Sequence, residues 1–175
     1  MTKKFIKLVL ASVVILFFTS TTTIAEESSK GKTVKQAREI VQMLDDLYKT
    51  FIVLITAEYV NDPSVLPAAT LSKRVFEAMS KKGWHKARLL DATGTPFNPD
   101  NNPKDKFERD AIKAIISGRT YFERVEKIEG KDYLRAATAV PVVIKGCTIC
   151  HPDKKVGDLL GAISYSIPLK KLDFY

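Results

Sequence analysis

The sequence predicts an α+β fold, with a long N-terminal helix pair ahead of an antiparallel sheet. Three observations carry this. From Thr33, apolar residues recur at helical spacing for about six turns. A second amphipathic stretch then ends at Gly83. Beyond residue 120 the chain turns to β-rich runs, two of them joined by the turn-forming Glu129-Gly130-Lys131.

The first element is a targeting segment. Lys3, Lys4 and Lys7 precede an apolar stretch from Leu8 to Phe18, and Thr23-Ile24-Ala25 offers small residues before a cut at Glu26. Residues 1–25 therefore read as a signal peptide, which places the protein in the periplasm; it meets a membrane only if this segment stays uncleaved. The net charge of +8 falls to +5 once these three lysines leave. That mild, scattered excess does not point to nucleic acid.

Residues 26–175 form one domain by length, with helices over about 33–82 and the sheet part over about 83–175. Ser28 to Lys32 reads as a polar spacer. Thr33 and Gln36 have the spacing of a capping box. The first helix runs from there, with its stripe on Val34, Ala37, Ile40, Val41, Leu44, Leu47, Tyr48, Phe51, Leu54 and Ile55. So long a stripe must pack on the rest of the domain or on a second copy of the chain, and in the second case this helix is the surface of a homodimer. Asn61-Asp62-Pro63 breaks it.

The second helix is expected from Pro67 to Lys82, with Gly83 as its left-handed cap. Trp84 to Leu90 reads as a strand, Asp91 to Gly94 as a turn, and Asn98 to Pro103 as a rigid loop. Lys104 to Ser117 is a third amphipathic helix. Strands follow over Tyr121–Ile128, Tyr133–Val143 and Leu159–Leu169. Helices first and strands afterwards, with hairpin connections, imply an antiparallel sheet.

Chemistry is concentrated in one place. Both cysteines of the chain and one of its two histidines stand in Cys147-Thr148-Ile149-Cys150-His151. C-x-x-C-H is the attachment signature of a c-type haem. Two thiols one helical turn apart reach the two vinyl groups on one porphyrin edge, and the next imidazole, His151, becomes the proximal iron ligand. A thioredoxin-like pair would open a long helix, whereas Pro152 follows here at once. A zinc site would use every nitrogen and sulfur ligand available, His85 included. One covalent haem c is the expected cofactor.

With these residues the sequence resembles the Tll-type c-haem domain family, a PAS-like module. That module occurs as single-domain periplasmic cytochromes and as the extracytoplasmic sensor part of bacterial receptors. The resemblance rests on Gly83-Trp84-His85 with Arg88, on Asn98-Pro99 with Asn101 and Pro103, and on Phe107-Glu108. It continues through Tyr133 to Ala137, the haem motif, Gly157 to Ser164 and Ile167-Pro168-Leu169. It implies a haem cradled between a PAS-like sheet and the N-terminal helices. Arg88 and Arg135, in strands that the resemblance places beside the haem, are the candidate propionate contacts. Some members carry a cysteine before the sheet that ligates the iron. This chain has none near Ala68 to Leu71, so that ligation does not carry over.

The sixth iron position has a short candidate register. His85 is the other imidazole, Met79 and Met43 offer thioethers, and Tyr59 is a weaker donor. Without any of them the haem is open to NO or CO. The expected function is an exported monohaem c-type cytochrome for electron transfer or redox buffering, working with a redox partner protein. The alternative is a haem-based sensor of redox state or of a small gas ligand. No nucleophile–base or acid pair at catalytic spacing points to an enzyme.

Overall fold

The computed structural model describes residues 2–60 and 67–169, with side chains from residue 29 onward. The chain divides into two units, residues 1–36 and 37–175. The first is helical from Thr2, and its side chains through residue 28, including those of the expected signal segment, lie outside the described residues.

The first helix, α1, runs Thr2–Tyr59 without interruption. This corrects the expected start at Thr33. The spacer Ser28 to Lys32 is helical, and the Thr33 hydroxyl donates back one turn to the Ser29 carbonyl at 3.1 Å rather than capping a new N-terminus. The expected break at Asn61-Asp62-Pro63 lies outside the described residues. Helix α2 spans Ala68–Lys81. Gly83, at φ 72°, closes it: Gly83 N–H donates to Ser80 and Trp84 N–H to Met79. This pair of bonds satisfies the last carbonyls and turns the chain back along α2.

Strand β1 (Lys86–Asp91) follows, then a turn in which Asp91 accepts from the Thr93 and Gly94 amides. A 3₁₀ turn at Pro99–Asn101 leads to α3 (Lys106–Ile116). Asp105 caps α3 by accepting from Glu108 N–H at 2.8 Å. Strands β2 (Tyr121–Ile128) and β3 (Lys131–Pro141) form a hairpin. Its two turn residues, Glu129 and Gly130, both have positive φ, as a type I′ turn requires. A four-residue helix α4 (Cys147–Cys150) and strand β4 (Leu159–Pro168) complete the chain.

The sheet order is β1-β4-β3-β2, with every pair antiparallel. Opposed residues share a face. Leu90, Ala162 and Ala137 therefore turn to one side, where Phe107, Ala111, Ile112 and Ile115 of α3 complete a buried cluster. Tyr165, Ile163, Ala136 and Thr138 turn to the other side, toward α1 and α2. There Asp45 of α1 accepts from Thr138 Oγ1 at 2.5 Å and from the Tyr165 phenol at 3.0 Å. Tyr48 packs edge-on to Phe76 of α2 with centroids 4.8 Å apart. The sheet is thus covered by helices on both faces.

Candidate functional site

The cysteine–histidine motif lies on the excursion between β3 and β4. Its neck is closed by two reciprocal backbone bonds, Val142 N–H to Asp158 and Gly157 N–H to Val142, each 2.8 Å. Within this loop α4 is a single helical turn, on which His151 N–H donates to the Cys147 carbonyl at 3.2 Å. That turn sets Cys147 and Cys150 about one pitch apart on one helix, with His151 directly after them. Both thiols are free and half-buried. They form no disulfide with each other.

Three elements meet at this loop. Gly146, just ahead of Cys147, abuts the last turns of α1: a Cβ there would stand 3.1 Å from Thr56 Cγ2 and 3.4 Å from its carbonyl oxygen. The imidazole of His151 meets the edge of Phe97, which follows the β1 turn, with centroids 5.7 Å apart. Asp91 at the end of β1 acts on the same ring electrostatically. Burial holds His151 below the usual imidazole range; Asp153 and Asp91 oppose this and Lys154 adds to it. Among the described residues the ring has no hydrogen-bond partner.

Three exposed apolar side chains stand near the motif in sequence or in contact with it. Val143 and Val156 flank it at 47% and 54% exposure, and Phe97 is 81% exposed although it touches His151. Large apolar groups gathered beside free ligands suit a flat apolar guest that would cover them. The exposed Lys145 and Lys155 stand on the same loop. Sequence reading missed Phe97 and these lysines. For Phe97 the available signal was a large aromatic directly before the Asn98-Pro99 turn.

Of the candidate distal ligands, the structure sets His85, Met79 and Met43 away from this loop and leaves Tyr59 near it. His85 precedes β1, whereas the motif neighbours Asp91 at the other end of that strand, about 17 Å along it. Along α1, His85's partner Tyr48 and the motif's neighbour Thr56 are separated by about 12 Å. His85 is buried, with Nε2 2.8 Å from the Tyr48 hydroxyl. It borders a cavity of about 70 Å³ shared with Ser80, Gly83, Lys86, Tyr133, Ser166 and Pro168. Met79 belongs to the last turn of α2, at the same end as His85. Met43 is exposed on α1, more than three turns before Thr56. Tyr59 is 72% exposed, within one turn after Thr56.

The two arginines are likewise engaged elsewhere. Arg88 pairs with the buried Glu108 and donates to the Asp100 and Asn102 carbonyls at 2.6 and 3.3 Å, clamping the 3₁₀ turn to α3. Arg135 is buried under the Phe107 ring, 4.2 Å from its centroid, and bonds Asp105 at 2.7 Å. Glu126 lies 3.4 Å and Glu108 3.9 Å from it. Arg88 and Arg135 lie on the sheet face covered by α3, since the pairs Arg88–Ser164 and Arg135–Ser166 place them in line with Ala162 of the α3 cluster.

The family model for Tll0287-like proteins (Tll0287) matches residues 23–168. No curated protein sequence matches the chain. Among solved structures it is similar to the crystal structure of the cyanobacterial heme-protein Tll0287. The TM-score is 0.55 at 12% identity, over 77% of this chain and 95% of that one. At that identity the likeness shows a shared fold: an antiparallel sheet with a long helix. The family match spans well over half of the sequence, and the chain belongs to the Tll0287-like family.

Proposed function

We propose that this protein is an exported monohaem c-type cytochrome, an electron carrier of the periplasm rather than an enzyme. The carrying observation is the loop itself. Two free thiols one helical turn apart, with the imidazole of His151 next to them, share the loop with the exposed Val143 and Val156, and the Phe97 ring packs on that imidazole. Cys147 and Cys150 would hold the haem by thioether bonds, and His151 would ligate its iron. A haem so bound supplies a one-electron couple. The similarity to a structure titled as a heme-protein supports the cofactor, and the signal-like segment supports export.

In this reading the protein's own groups do three things. The closed neck at Val142 and Gly157 fixes the motif turn against α1. Phe97 keeps water from one edge of His151. Lys145 and Lys155, exposed on the motif loop, would meet the propionates, while Arg88 and Arg135 are paired on the α3 face. We read the helix-covered antiparallel sheet as PAS-like.

The placement of His85, Met79 and Met43 favours a second reading for the same site. Among the described residues no imidazole or thioether other than His151 stands near the motif. The sixth position would then be open to a small gas, and the protein would act as a sensor. Two measurements test this. Mass analysis of the chain, produced with a haem-attachment system, should show one covalent haem that is lost in the Cys147→Ser, Cys150→Ser double variant; the bare polypeptide mass would overturn the assignment. Addition of CO to the reduced protein should shift its Soret band if the sixth position is open, and leave it unchanged in a closed six-coordinate carrier.

A further inference from the structure

Helix α1 carries two apolar stripes, of which the domain uses one. Ala37, Val41, Leu44, Tyr48, Thr56 and Val60 are buried, and this seam faces the sheet and α2. On another side of the helix stand Ile40, Met43, Leu47, Phe51 and Leu54. Met43, Leu47 and Leu54 are each more than half exposed, Phe51 is 36% exposed and Ile40 is half-buried. The stripe runs for about 21 Å along the helix, most open at Met43, Leu47 and Leu54.

Its spacing is symmetric. Measured from Leu47, the large side chains fall at seven and four residues before it and at four and seven residues after it. On a 100° per residue wheel they lie within about 40° of Leu47 on either side. An isologous interface demands this kind of pattern, because residue i must meet residue j while j meets i. Two antiparallel copies crossing at Leu47 would set Ile40 against Leu54, Met43 against Phe51 and Leu47 against itself. Each pairing is apolar on both sides. Both members of each pair lie on the same face of the same helix, so no rearrangement is needed.

We propose that this stripe is the interface of a homodimer in which two α1 helices pack antiparallel about a two-fold axis at Leu47. One helix strip is less than the roughly 800 Å² per partner of a stable standard interface, so the association is reversible and concentration-dependent. The assignment is independent of the haem reading, because it uses no residue of the motif loop.

The test uses the full chain. Light scattering across a concentration series should show the mass rising from one chain to two. Leu47→Glu should weaken association roughly 100-fold, since the symmetric site loses two buried leucines. Leu54→Glu repeats the test at a second exposed position, and circular dichroism checks that each variant is folded. Register is read by oxidative cross-linking: Met43→Cys chains mixed with Phe51→Cys chains should link to each other, and Met43→Cys chains alone should not. A chain that stays monomeric throughout the series overturns the proposal. So does an undiminished dimer in both folded glutamate variants, or efficient linkage of Met43→Cys chains to themselves, which marks a parallel pair.

Discussion

The hydroxyl of Tyr48 on α1 stands 2.8 Å from Nε2 of His85 at the head of β1, inside the packed face between them. Burial raises the Tyr48 phenol and lowers the His85 imidazole from their ordinary values. Both shifts favour the neutral forms, so the pair shares one hydrogen bond between uncharged groups. The bond ties the first helix to the first strand at the end of the sheet remote from Cys147.

This pair makes the fold sensitive to acid. His85 has a folded pKa below its unfolded value of about 6.5, so the unfolded chain takes up the proton first as pH falls. Stability is full above about 6.5 and declines as pH drops from there toward the folded pKa. The thermal midpoint should fall between pH 7.5 and 5.5, and His85→Gln should flatten that slope. An unaltered slope in the variant would assign the acid sensitivity to another group.

Arg135 belongs to an ion-pair network that joins β3 to the start of α3. It is 6% exposed, with Asp105 at 2.7 Å and the Phe107 ring beneath it. Removing one member of a buried ionic cluster leaves charge behind without compensation. Arg135→Met should cost on the order of 3 kcal/mol in urea denaturation, while the spectrum of the proposed haem form stays as it was in the folded fraction. A changed spectrum or potential with stability intact would instead place Arg135 against a propionate.

Local patterns in this sequence were legible because they are local. The Gly83 cap, the Glu129-Gly130 turn and the apolar faces of α2 and α3 depend on neighbours within a few residues. The uncapped passage through Thr33 was not, since a threonine serves as a cap or bonds back within a helix with equal ease. Register was harder still. Whether His85 or Asp91 lies near Cys147 depends on how β1 pairs with β4 and on the reversal of α2 at Gly83, which no spacing encodes. The engagement of the two arginines was out of reach for a related reason: no local pattern ties Arg88 to Glu108, or Arg135 on β3 to Asp105.

Gly161 shows how tight that register is. It pairs with Asp91 beside an irregularity at Val140/Pro141, and a Cβ there would stand 2.0 Å from the Leu90 carbonyl oxygen. The obstacle is backbone, which cannot swing aside as a side chain would. Gly161→Ala should therefore destabilise the protein by about 3 kcal/mol and disturb the β1–β4 pairing that holds Asp91 near His151. Retention of wild-type stability would mean that the strands separate there at little cost.

Phe97 is the residue near the motif whose exposure is hardest to explain by packing alone. It is 81% exposed, yet its ring meets the imidazole of His151, and the turn after it is fixed by Asn98 accepting from Asp100 N–H at 2.9 Å. In the proposed haem form, where His151 ligates the iron, the Phe97 ring packed on that imidazole limits how much water reaches it. Solvent access favours the more highly charged oxidised iron, so removing the ring should lower the reduction potential. Phe97→Ala should show this in a potentiometric titration, with haem content and thermal stability close to wild type because the side chain buries little. A potential unchanged in the variant would reduce Phe97 to a surface aromatic, and the apolar rim of the motif would then rest on Val143 and Val156 alone.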